Sequence, residues 1–140
     1  MALTLEDIDD LEKLARDPIH VGTIPYEVAR KIGLKNSNAY LSLIGLSHIR
    51  REHPKTTNFD LLLFPFVIAK GLIYREDKKG IEYLVCNYLD PLTDKRYVVP
   101  LEMAENRTQL WARSFYRVRK RQTKAKLVRA IELLKGQDRK

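Results

Sequence analysis

Gly71 marks a change of hydrophobic period that constrains the fold more than any other feature of the chain. Before it, apolar residues recur at helical spacing between proline and glycine stops. After it come four stretches rich in Ile, Val, Tyr and Leu, over residues 72–76, 81–89, 96–101 and 110–119. Asp77, Lys78, Lys79 and Gly80 divide the first two stretches and the run from Asp90 to Asp94 divides the next two, which is turn chemistry. Four strands joined by short turns make an antiparallel meander, and such a sheet needs one face covered. The upstream helical part supplies the cover. The expected class is therefore α+β, with N-terminal helices packed on a four-stranded antiparallel sheet and a basic C-terminal helix.

Upstream of Gly71, Leu5, Ile8, Leu11, Leu14 and Ala15 recur at helical spacing, with Thr4 and Asp7 in capping-box positions and Pro18 as the stop. This predicts a first helix over residues 4–17, whose carboxylates Glu6, Asp7, Asp9, Asp10 and Glu12 either face the basic C-terminal stretch or stay solvated. A short strand over 19–24 precedes Pro25, which opens a helix over 26–32 that Gly33 ends. Residues 39–44 read as a strand or as the opening of the next helix, and periodicity alone does not separate the two. The segment from Ser47 to His53 reads as a short helix stopped by Pro54. Asn58 can cap an apolar helix reaching Lys70, kinked or divided at Pro65. Beyond the sheet, Thr123 caps a last helix with Leu127, Val128, Ile131, Leu133 and Leu134 on its apolar side. At 140 residues these parts form one domain: a mainly helical part over 4–70, the meander over 71–121 and the terminal helix over 123–135.

A net charge of +8 points to a polyanionic partner, with nucleic acid ahead of a membrane surface because no lipidation signal or long amphipathic segment accompanies it. No apolar run approaches the roughly 18 residues of a membrane span. Cys86, the single cysteine, lies in an apolar run, so it forms no internal disulfide and fits a reducing, cytoplasmic compartment.

The positive charge concentrates between Arg107 and Arg129, where no acidic residue occurs. In a regular strand Trp111, Arg113, Phe115, Arg117 and Arg119 share one face, and Leu110, Ala112, Ser114, Tyr116 and Val118 share the other. Guanidinium groups match phosphate and aromatic rings stack on bases, so Arg113, Arg117 and Arg119, followed by Lys120, Arg121 and Lys124, are candidate RNA contacts. The alternative is a half-buried strand whose aromatics pack on a helix while its arginines snorkel to water.

His48 and His53 lie five residues apart, about 140° around a helix, so they do not make a zinc pair. No cysteine cluster completes a metal site, and no cofactor is implied. RNA cleavage by its own 2′-hydroxyl needs only a base, an acid and a cation to steady the phosphorane, roles that histidine and arginine fill. Glu52, four residues after His48, can orient that imidazole.

His48, Ile49, Arg50, Arg51, Glu52, His53 and Pro54, an apolar helix with an internal proline, Tyr-rich strands, and Ser114, Phe115, Tyr116 and Arg117 on a last strand together resemble a known group. They are similar to the phage-borne toxin nucleases of the barnase, EndoU, colicin and RelE-like group over roughly residues 40–121. That resemblance implies a metal-independent ribonuclease of toxin type, with an inhibitor or antitoxin protein as a further partner. It gives His48 the role of general base or acid, with His53 as second candidate. Arg51, Arg113 and Arg117 then hold phosphate, Ser114 offers a hydroxyl where the group more often has threonine, and Tyr116 stacks or donates its phenol. The two strand faces can serve one cleft only if the strand twists hard or bulges. The rival readings are a non-catalytic RNA- or DNA-binding protein and a phage structural or partner-binding protein.

Overall fold

The computed structural model describes residues 2–118. The helix expected over 123–135, and with it Arg119, Lys120, Arg121 and Lys124, lies outside the described residues. Five helices and seven strands follow in the order α1 (Leu5–Glu12), β1 (Ile19–Thr23), α2 (Tyr26–Lys31), β2 (Asn38–Leu41), α3 (Leu43–Glu52), α4 (Asn58–Leu61), α5 (Phe64–Lys70), β3 (Leu72–Lys78), β4 (Ile81–Asp90), β5 (Lys95–Ala104), β6 (Gln109–Ala112) and β7 (Tyr116–Val118). Among these residues no helix is long and apolar enough to cross a membrane.

The α+β class holds, but the expected four-stranded sheet is corrected to seven strands in the order β1-β2-β6-β5-β4-β3, with β7 pairing β5. Two causes account for the difference. The N-terminal part is not only helical: β1 and β2 form a hairpin that joins the meander through a parallel pairing of β2 with β6. The ambiguous run at Ala39 divides at Ser42, whose hydroxyl accepts from the Gly45 amide and caps α3, so β2 ends where the helix begins. The other cause lies at the far end, where the single strand expected over 110–119 is two strands, β6 and β7.

β6 and β7 share one edge of β5 but not one register. Leu101 faces Ala112 and Glu102 faces Trp111, whereas Val98 faces Tyr116 and Arg96 faces Val118. The residue sum across the ladder steps up by one between the two pairings, so Arg113, Ser114 and Phe115 contain one residue too many for the strand opposite, which is a β-bulge. Pro100 supplies the reason. Its carbonyl accepts from the Arg113 amide at 3.0 Å, and in an antiparallel ladder a residue's amide points the same way as its carbonyl. Pro100 has no amide hydrogen, so the ladder lacks a donor opposite the bulge and the extra residue displaces no bond.

All five helices bury their apolar sides on one face of the sheet. Ile8, Leu11, Val28, Leu46, Ile49, Leu61, Phe64, Val67 and Ile68 meet Ile73, Leu84, Cys86, Val99, Leu101, Leu110 and Phe115 in one core. The Pro65 break is real and separates α4 from α5, with the proline in the first turn of α5 where its missing amide costs nothing. A smaller cluster of Tyr74, Val85, Val98 and Val118, edged by Leu72, Tyr83 and Tyr116, occupies the opposite face.

Gly45 sets how closely α3 approaches the sheet. A Cβ there would lie 3.1 Å from the Ala112 carbonyl oxygen and 3.0 Å from Leu41 Cδ1. The oxygen belongs to the backbone just before the bulge and cannot swing aside. Gly45→Ala therefore loses stability by about 1–2 kcal/mol from overpacking, against the gain of up to about 1 kcal/mol that alanine brings to a helix interior. Urea unfolding measures the balance; a G45A protein more stable than the parent contradicts this packing.

Candidate functional site

The bulge decides which side chains reach the face that carries none of the described helices. Ala112 and Phe115 are both buried in the helix-side core, three positions apart, where a regular strand would put them on opposite faces. Phe115 packs its ring 4.8 Å from Phe64 and 5.5 Å from Tyr97. Tyr116 and Val118 turn to the other face, onto the smaller cluster. The two faces expected for a regular strand are thus corrected: neither the Arg113, Phe115 and Arg117 set nor the Ala112, Ser114 and Tyr116 set stays together.

A cleft of about 320 Å³ opens on this second face, lined by His48 from α3, by Tyr74, Glu76 and Lys78 from β3, by Tyr83 and Val85 from β4, by Pro100, and by Arg113, Ser114 and Tyr116. His48 gets there because α3 touches the sheet at Gly45, which sets the next turn of the helix beside the bulge. A groove of about 520 Å³ continues from the cleft between α3 and the sheet, sharing His48, Tyr83 and Arg113 and adding Ile44, Ser47 and Arg51. Four of the five expected catalytic residues, His48, Arg51, Ser114 and Tyr116, together with Arg113, therefore line one continuous depression.

His53 and Arg117 do not join them. They line a separate pocket of about 300 Å³ with Lys55, Asp60, Tyr97 and Phe115, and Tyr116 is the wall common to both pockets. The His53 ring stacks on Tyr116 with centroids 5.1 Å apart at 23°. Asp60 in that pocket is already engaged: its carboxylate closes the capping box of α4 and accepts the Tyr97 hydroxyl at 3.4 Å. Burial, with Asp60 next, raises the Tyr97 phenol above its ordinary value and keeps it protonated.

The polar geometry of the cleft is specific. An Arg51 guanidinium N–H donates to His48 Nδ1 at 3.3 Å, so the neutral imidazole carries its proton on Nε2. Glu52 does not orient His48 as expected; it pairs with Arg51 at 3.6 Å, an exposed contact of small energetic weight. Arg113 Nε donates to Glu102 at 3.0 Å, and its Cζ lies 6.0 Å from the Trp111 ring centre. Lys78 pairs with Glu76 at 3.1 Å, which raises the lysine further above its usual range. Ser114 is 8% exposed and its hydroxyl has no hydrogen-bond partner among the described residues.

Glu76, Lys78, Tyr74 and Tyr83 were not singled out from the sequence, although their signal was present. Tyr74, Glu76 and Lys78 alternate along β3 and so share one face, although the outer half of the strand is charged on both faces, with Arg75 and Asp77 on the other. Arg107, at the head of the basic stretch, serves the fold instead: it donates to the Ile32 carbonyl at the end of α2 and pairs with Glu82 at 3.1 Å.

Comparison with protein-family profiles, curated proteins and solved structures gave no match.

Desolvation holds the His53 imidazole below its ordinary value, with repulsion from His48 acting the same way and Glu52 opposing both. The unfolded chain then binds more protons than the folded one once pH falls to about 6.5, so this residue favours folding above that value and loses the contribution as pH drops through its lower folded value. An NMR titration should place the His53 midpoint below that of an unfolded histidine. His48→Ala should move it up and Glu52→Gln should move it further down; a midpoint at or above the unfolded value contradicts the burial argument.

Proposed function

We propose that the chain is a metal-independent endoribonuclease that cleaves RNA by attack of a 2′-hydroxyl on the adjacent phosphate. One observation carries this reading: an imidazole, a guanidinium and a carboxylate line one cleft together with Ser114, whose buried hydroxyl has no partner among the described residues, on the sheet face that none of the described helices covers. A structural surface has no need of an orphaned hydroxyl, whose burial costs about 1–3 kcal/mol.

In this reading the scissile phosphate sits between Arg113, His48 and Ser114. Arg113 steadies the charge that builds on the phosphorane, and the Ser114 hydroxyl donates to a non-bridging oxygen. Glu76 accepts the proton of the 2′-hydroxyl as its oxygen bonds to phosphorus. The bond to the 5′-oxygen breaks, and His48, as the imidazolium with a proton on Nδ1 in place of the Arg51 contact, gives that oxygen its Nε2 proton and is left neutral. The products are a 2′,3′-cyclic phosphate and a 5′-hydroxyl end. His53 is a positioning residue here, because its ring stacks on Tyr116 from the neighbouring pocket. The resemblance to toxin nucleases adds an inhibitor protein as a proposed partner and the cytoplasm as the proposed site of action.

Purified protein incubated with single-stranded and structured RNA in excess chelator tests the reading. Cleavage with cyclic phosphate ends is expected, slowed by about 100-fold or more in His48→Ala and in Glu76→Gln. Failure of several independent preparations to cut any RNA would sink it.

A further inference from the structure

One row of side chains runs straight across six strands on the cleft face: His20, Tyr40, Trp111, Glu102, Tyr83 and Glu76, each the register partner of the next. Its first three members are aromatic and touch, with ring centroids 5.6 Å apart for His20 and Tyr40 and 6.3 Å apart for Tyr40 and Trp111. Cross-strand aromatic pairs can stabilise a sheet by themselves. Such pairs normally bury one another under a covering layer, yet these three lie on the face opposite the helices and all remain half-buried.

One polar atom of each outer ring is satisfied locally. His20 Nε2 lies 2.8 Å from the Gly22 carbonyl, and Trp111 Nε1 donates to Gln109 Oε1 at 2.9 Å. What Trp111 presents to a ligand is therefore π surface rather than hydrogen-bonding edge. At the cleft end of the row, the Arg113 guanidinium lies over Trp111 while it also lines the cleft, so the aromatic row and the cleft are continuous through one residue. Residues 119–140 carry +7 of the chain's net charge of +8, and Arg113 supplies the cation where the aromatic row meets the cleft.

We infer that His20, Tyr40 and Trp111 form a stacking platform for successive unpaired bases of an RNA strand as it leaves the cleft. The inference rests on the ribonuclease reading for the place of the scissile phosphate, and it narrows the substrate to single-stranded RNA. Bases in a duplex are stacked on one another and cannot lie on protein rings. Stacking tolerates any base, so the platform selects for strandedness and length and adds no sequence preference.

Trp111 is the only tryptophan, and its fluorescence reports the contact directly. The full chain is titrated with a 2′-O-methyl oligouridylate, which cannot be cleaved, and with the duplex of that strand and its complement. The single strand is expected to quench Trp111 saturably and the duplex is not. Tyr40→Leu weakens single-strand binding by about tenfold and Tyr40→Phe restores it, which separates loss of a ring from loss of fold. Binding of the single strand without quenching, equal affinity in Tyr40→Leu, equal quenching by the duplex, or no binding at all overturns the platform. Cleavage of unmodified RNA is scored separately: quenching without cleavage removes the ribonuclease reading and keeps the platform, and cleavage without quenching does the reverse.

Discussion

A missing backbone donor at Pro100 is the constraint on which the two faces of this sheet depend. Because Pro100 accepts from Arg113 but donates no ladder bond of its own, the strand opposite takes up an extra residue at Arg113, Ser114 and Phe115 and changes register from β6 to β7. The consequence is a reversal of every side chain beyond the bulge. Phe115 enters the core against Phe64, and Tyr116 and Val118 close the small cluster on the far side. A regular strand would have set Phe115 on the open face and driven the Tyr116 phenol into the helix-side core, where a polar atom needs a partner. The bulge is thus what allows an aromatic-rich strand to fill a core and to line a cleft within a few residues.

The period change at Gly71, the capping box of α1, the break at Pro65 and the strands β1, β3, β4 and β5 were legible in the sequence, because each depends on local chemistry that a window of a few residues contains. The cap of α4 was expected at Asn58 and is Thr57, which forms a second capping box with Asp60. The capping box of α1 is made as the letters suggest, with Thr4 and Asp7 serving each other's backbone amides. What the letters did not contain was long-range pairing. Nothing local says that β2 lies parallel to β6, and this pairing alone turns two separate sheets into one. The bulge was partly readable: a proline inside an otherwise good strand marks an edge or a bulge. Pro100 was that signal, and the conflict between the two faces of residues 110–119 was its symptom. For the site, His48, Arg51, Arg113, Ser114 and Tyr116 were legible by residue type, whereas their division from His53 and Arg117 depends on Tyr116 standing between two pockets.

Charge is a weaker guide than composition suggests, because many of the described cations are paired with carboxylates at the surface. The acidic first helix finds its partners locally, with Arg16 on Asp7 and Asp10, Lys13 on Asp9, and Arg50 of α3 on Glu12. Arg107 is tied to Glu82 and Arg113 to Glu102. An arginine already paired with a carboxylate is still able to bind phosphate, but it does so as a preset group of fixed orientation rather than as a free charge. That suits a site that must present its donors in one geometry, and it means that the surface field of the chain and the chemistry of its cleft are separable properties.

The unpartnered Ser114 hydroxyl and the preset Arg113 side chain lie on adjacent residues of the same bulge, so one backbone irregularity fixes both. A hydroxyl buried at the floor of an open cleft costs folding energy in the free protein and repays it only when an acceptor arrives. An acceptor-rich ligand such as a phosphate supplies that bond, and Arg113, already held by Glu102, need not reorganise to meet the same oxygens. His48 depends on the same place for a different reason: Gly45 rests on the carbonyl that ends β6, so the helix is aligned on the bulge and not on the sheet as a whole. Moving the bulge by one residue would therefore displace the hydroxyl and the guanidinium together and change the surface on which the helix is seated. Straightening the strand would remove the site without removing any of its side chains.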